Sequence, residues 1–130
     1  MANTSMNYDH PAYLVPVVYS GGIAAGGANN LSTKFAAFTA QKIVSVVYAA
    51  NVVGTSSTTP LLYSKSGTTT STTTMTAIAS AATAAIKYDL ATPVTLAAGD
   101  QFWVSQGTDA TIATSVAIET RIIPRSNVTA

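Results

Sequence analysis

Residues 86–105 read Ile-Lys-Tyr-Asp-Leu-Ala-Thr-Pro-Val-Thr-Leu-Ala-Ala-Gly-Asp-Gln-Phe-Trp-Val-Ser. Ile86, Tyr88 and Leu90 alternate with Lys87 and Asp89, the period-two pattern of a half-buried strand. Pro93-Val94-Thr95-Leu96 then leads into Ala97-Ala98-Gly99-Asp100. Gly99 can take a positive φ there, and Asp100 can close the turn with its own carboxylate. Phe102 to Ser105 is the next strand, with Phe102 and Val104 on one face and Trp103 between them. Strand, turn and strand in such quick succession predict an antiparallel β architecture.

The same punctuation continues outward. Gln106 to Ala110 reads as a Gly/Asp turn, and Thr114 to Ile123 as a closing strand. That strand sets Val116, Ile118, Thr120 and Ile122 on one side and Ala117, Glu119, Arg121 and Ile123 on the other. Upstream, Leu61-Leu62-Tyr63 is a short strand and Phe35 to Phe38 an apolar stretch, while Gly54 to Pro60 is a turn. Lys42 to Tyr48 is strongly β-branched and reads as a strand. In strict alternation Ile43, Ser45 and Val47 share one face, and Val44, Val46 and Tyr48 share the other. Both faces are apolar, which means either a central sheet position or an outer face that meets another subunit. Tyr13 to Tyr19 is β-like, but Pro16 confines it to an edge or a bulge. Ser20 to Asn30, with its paired glycines, is expected to be a loop. The Thr tract at 66–76 is expected to be a loop or a polar strand. Ala77 to Ala85 is ambiguous, since Ala favours a helix and the Thr/Ser neighbours and β context favour a strand; a short helical turn is one expectation. The fold class expected is all-β: a single-domain β-sandwich or jelly-roll-like barrel over 13–130, preceded by an extended N-terminal arm at 1–12.

Charge is scarce. Only 8% of the 130 residues are Asp, Glu, Lys or Arg, against roughly 25% in typical domains. Spread over the ~6,400 Å² expected for a monomer of this mass, that is roughly one charge per 600 Å². The formal net charge of +1 leaves little repulsion between copies. Such an exterior is suited to touching protein rather than water. The six basic residues, Lys34, Lys42, Lys65, Lys87, Arg121 and Arg125, are scattered singly, so no nucleic-acid footprint is expected. The start of the chain lacks the basic and apolar segments of a secretory signal, and no apolar run approaches a membrane span.

Residues able to do chemistry do not converge. There is no Cys and a single His, His10, which sits beside Asp9 and before Pro11; a lone imidazole offers no catalytic dyad. Asp89, Asp100, Asp109 and Glu119 fall at strand ends and turns, where Asp serves turn geometry. Asp100 and Asp109 lack the dense spacing of a calcium loop. Gly-Gly-Ile-Ala-Ala-Gly-Gly at 21–27 lacks the Lys-Ser/Thr of a phosphate loop. No enzyme activity, cofactor or metal is expected. Glu119 and Arg121, two apart on one face, are expected to neutralise each other or cross-strand partners. Trp103 and the Tyr set could stack on sugars, or Trp103 could be core or inter-subunit contact.

The stretch Thr92-Pro93-Val94-Thr95-Leu96-Ala97-Ala98-Gly99-Asp100-Gln101-Phe102-Trp103-Val104, with Val116-Ala117-Ile118-Glu119 and a final Ile-Pro, resembles small β-sandwich and jelly-roll decoration (cement) proteins of tailed-phage heads. The Ala/Thr/Ser/Gly-rich, Cys-free composition is similar too. This resemblance implies a non-enzymatic virion structural protein, made in the host cytoplasm and carried on the capsid exterior. Its partners would be the major capsid protein and further copies of itself, commonly as a trimer, with no nucleic acid and no membrane. The contact residues expected on this reading are Met6, Tyr8, His10 and Tyr13 of the arm, Val44, Val46 and Tyr48 of the 42–48 strand, and Trp103. The alternative is a carbohydrate-binding or adhesin module of a phage fibre or cell surface, using Trp103, the tyrosines and the Thr-rich segment.

Overall fold

A computed structural model of the chain describes residues 15–24, 31–52, 56–107 and 113–123. The described residues are all-β. The strands are β1 (Pro16–Ile23), β2 (Phe35–Ala36), β3 (Gln41–Val52), β4 (Leu61–Ser66), β5 (Thr69–Thr74), β6 (Ile86–Leu96), β7 (Gln101–Ser105) and β8 (Ala113–Ile122). They form two four-stranded sheets, ordered β1-β8-β3-β6 and β2-β7-β4-β5, in which every named pair is antiparallel. The sheets stay open rather than closing into a barrel, so the molecule is a β-sandwich. The expected arm at 1–12, with Met6, Tyr8, His10 and also Tyr13, lies outside the described residues.

Each sheet contributes one apolar face to the core. From the first come Ile23, Ile43, Val46, Tyr48, Ala50, Leu96, Val116 and Ile118; from the second, Leu62, Phe102 and Val104. An aromatic trio ties the layers together. Tyr19 of β1 meets Phe102 edge-on at 4.9 Å between centroids and 87° between planes, and Phe35 lies 5.6 Å from both rings. Such pairs contribute roughly 0.5–1.5 kcal/mol beyond the area they bury.

The strand at 41–52 departs from strict alternation for a local reason. Ile43 stands opposite Thr120 and Ser45 opposite Glu119, so Val44 is an extra residue, a β-bulge. Past the bulge the faces exchange: Ile43 shares the core side with Val46, Tyr48 and Ala50, while Val47 turns outward. β3 lies between β8 and β6, the central position. Opposite the same point, β6 carries Leu90 to Pro93 without β3 partners. β6 runs continuously through Pro93 because it is an edge strand.

Other boundaries moved for equally local reasons. Ser20 to Ile23, expected as loop, continues β1, since Ser20, Gly21, Gly22 and Ile23 pair with Ala117 to Thr114. The Thr tract becomes the polar strand β5, turning from β4 at Gly67 with φ 60°. No helical turn forms over 77–85. Ile78 instead bridges Thr58, and a turn closes from the Ala82 N–H to the Ala79 carbonyl at 3.1 Å. Ile78 is buried, and that anchoring outweighs the helix preference of its alanine neighbours. The Gly99 turn forms as expected: φ is 90°, and the Ala97 N–H donates to the Asp100 carboxylate at 2.9 Å.

Tyr48 joins the first sheet to the chain after β5. Its buried hydroxyl donates to the Thr76 carbonyl at 2.6 Å. Burial raises its pKa above the ordinary 10.0, because ionisation would leave a charge out of water. Below pH 10 Tyr48 is neutral in folded and unfolded chains alike. Above it the unfolded chain sheds the proton while the fold retains it, so stability falls as pH rises. Absorbance titration at 295 nm should show one tyrosine ionising last, together with unfolding; replacing Tyr48 with Phe should remove that component.

Candidate interaction surfaces

The outer face of the sheet β1-β8-β3-β6 can be read row by row from its register. At one end Pro16, Arg121, Lys42 and Thr95 line up, and beside them Val18, Glu119, Ser45 and Asp89. The Arg121 guanidinium reaches the Glu119 carboxylate at 3.4 Å, the mutual neutralisation expected of that pair. On β6, Lys87 and Asp89 lie 3.6 Å apart. These charges are satisfied locally and partly exposed, so each pair contributes only about 0–1 kcal/mol.

Toward the other end the face loses its charge. Ser20, Ala117 and Val47 stand side by side, followed by Gly22, Ser115 and Ala49. Small side chains leave a shallow depression of about 430 Å³, lined by Ser20, Gly21, Val47, Ala49, Ser115 and Ala117 among others. Val47 is 37% exposed and Val18 59%. Lys87, paired with Val47 on β6, is the charged residue bordering this patch. An uncharged, flat, partly apolar sheet face suits contact with another protein surface, since little polar desolvation opposes it.

The outer face of the second sheet carries an aromatic row. Trp103 on β7 faces Tyr63 on β4, their rings stacked 8° from parallel at 5.5 Å. On the β2 side, the Lys34 ammonium sits 4.7 Å from the Trp103 ring centroid. Lys34 and Tyr63 thus flank the indole, which is 7% exposed. A sugar-stacking platform needs an open ring face, and this ring is covered on both sides. Replacing Lys34 with Ala should uncover it. Trp103 is the chain's single tryptophan, so acrylamide quenching should rise and emission shift to the red. Stability should fall by about 0.5–1 kcal/mol, the usual worth of an exposed cation–π contact.

The expected contact residues therefore separate. Val46 and Tyr48 lie inside the sandwich at 0% and 1% exposure; with both in the core, neither can touch a partner. Val44 is half-buried at the bulge, and Trp103 is covered by its neighbours. Strict alternation hid Val47, which the bulge turns outward. Val18 and Ala117 could have been found as small or apolar residues alternating with half-buried positions on β1 and buried ones on β8.

Among the described residues no three His, Cys, Asp or Glu side chains come together as a metal site. A smaller cleft of about 250 Å³ between β4, β5 and β6 is lined by Ser and Thr side chains together with Val94 and Leu96, and Lys65 and Asp100 also border it. Buried polar groups serve the fold. Gln41 Oε1 accepts from the Tyr19 and Thr120 hydroxyls at 3.0 Å each, and Gln106 Oε1 accepts from Thr114 at 3.0 Å. No helix among the described residues is long and apolar enough to cross a membrane. No family model and no curated protein sequence matches this chain.

Proposed function

We propose that this chain is a non-enzymatic structural protein of a phage particle, one that binds the capsid exterior and reinforces it. The observation that carries the reading is the uncharged outer face centred on Val47, Ala49, Ser115 and Ala117, which is open in a single copy. It joins a composition with few charges anywhere and the resemblance of residues 92–104 to head decoration proteins. On this reading the outer face of the first sheet lies against the shell. Many copies on a lattice hold together by avidity, so each contact can be weak. The partners are the major capsid protein and further copies of the chain.

The test has two parts. An antibody raised against the purified protein should decorate the heads of phage particles from the same source; particles whose heads carry no label would refute the assignment. Purified protein should also bind heads from which it has been stripped. Val47→Glu should reduce that occupancy at least tenfold while leaving the melting curve nearly unchanged, because the side chain already faces solvent. Normal occupancy of the variant would remove this face from the contact.

A further inference from the structure

A β-sandwich of two open sheets has four edges, and here they are unequal. β1 carries Pro16 and two glycines. β6 carries Pro93, an irregular stretch at Leu90 to Pro93, and the charged pair Lys87 and Asp89. β2 is only two residues long. Prolines, charges, bulges and brevity are the devices that stop a strand edge from pairing with another chain. β5 has none of them. Thr69-Thr70-Ser71-Thr72-Thr73-Thr74 contains no charge, proline or glycine, and pairs with β4 in unbroken register from Leu61↔Thr74 to Ser66↔Thr69. All but Thr73 are exposed, and among the described residues β5 ends its sheet. Its outward backbone N–H and C=O groups form an undefended template.

We infer that β5 is a homotypic association edge, on which a second copy of the chain pairs its own β5 antiparallel about a twofold axis. The second copy is the occupant because the strand is complementary to itself. A twofold axis normal to the sheet keeps inner and outer faces in phase, so residues of equal parity meet. Centred on Thr72, Thr70 opposes Thr74 of the other copy and Ser71 opposes Thr73. Centred on Ser71, Thr70 opposes Thr72. Every pair in either register sets hydroxyl against hydroxyl, almost always on β-branched side chains, a favourable cross-strand combination. No charge in the strand repels its copy, and the net charge of +1 adds little. A charged or bulky foreign strand would gain nothing specific from this row. The result is one continuous sheet running through both copies. Six-residue strands bury far less than the ~1,600 Å² of a standard interface. The contact is therefore weak in dilute solution and effective where copies are crowded.

The experiment uses the purified chain alone, so its outcome is independent of head binding. Sedimentation velocity from micromolar to millimolar concentration should show reversible dimers, with the amides of residues 69–74 exchanging more slowly as concentration rises. Thr70→Lys with Thr72→Lys, both on the exposed outer face, should weaken association at least tenfold and leave the fold intact. The chain has no cysteine, so Ser71→Cys and Thr72→Cys can be compared with Thr83→Cys under mild oxidation. Cross-linking at 71 or 72 well above that at 83 supports the pairing. A monomer at millimolar concentration, dimers that survive the lysines, or equal cross-linking at all three positions would overturn it.

Discussion

Replacing Phe102 with alanine is expected to lower the free energy of unfolding by about 3–5 kcal/mol, the usual cost of deleting a buried aromatic ring. Phe102 is fully buried on β7, and it receives the edge of Tyr19 from the opposite sheet as well as the tilted ring of Phe35. Removing it takes away one of the two rings that the second sheet gives to the trio joining the layers, and the one that meets Tyr19 most closely. The surrounding rings cannot simply collapse into the gap, since Tyr19 is also held through its hydroxyl, which donates to Gln41 at 3.0 Å. For a domain whose total stability is about 5–15 kcal/mol, the loss is a large fraction of the whole. Urea unfolding followed by circular dichroism measures it. A loss below about 1 kcal/mol would mean that the two sheets are joined elsewhere.

Gly107→Ala should cost about 2–4 kcal/mol, from a left-handed backbone and a steric clash acting together. Gly107 has φ +92°, and a Cβ there would stand 2.8 Å from the Thr59 carbonyl oxygen and closer still to the Thr58 hydroxyl oxygen. That hydroxyl donates to the Gln106 carbonyl, and Thr58 is held by its bridge to Ile78, so the neighbours cannot easily yield. Gly67 and Gly99 are controls within the same chain. Both have positive φ, but a Cβ at either meets nothing within 4 Å. Their alanine variants should lose only the conformational part, about 1–2 kcal/mol. Three melting curves separate the two contributions, and equal losses at all three positions would contradict the role of the clash.

The strands around residues 86–105 could be read from sequence because Ile86, Tyr88 and Leu90 alternate with Lys87 and Asp89 and the turn between the strands carries Gly99 and Asp100 together. The same held for β8, whose buried set Val116, Ile118 and Thr120 alternates without a break. Where reading failed, a long-range partner had overruled a local preference. Gly21 and Gly22 look like loop residues, yet β8 supplies a ladder that keeps them extended. The alanines of 77–85 prefer a helix, but burial of Ile78 holds the chain open. The candidate surface was legible only as composition. A deficit of charge shows that some exterior is suited to protein contact, but it does not say which face. Deciding between Val46 and Val47 required knowing where the ladder slips. Trp103 looked like core or a platform; its cover by Lys34 and Tyr63 depends on two other strands, and no local pattern encodes that.

The extra residue at Val44 also bears on how this chain can change over generations. In a regular strand, loss or gain of one amino acid inverts everything beyond it, sending oily side chains into water. Here the inversion already exists and has been accommodated. Deleting Val44 would set Ile43, opposite Thr120, directly beside Ser45, opposite Glu119, and so restore uniform pleating with Ile43 still inside and Lys42 still outside. The point of slippage is thus a place where this central strand can lose one residue and keep the others on their present faces, whereas a loss at a paired position such as Val46 would turn one side of the strand over.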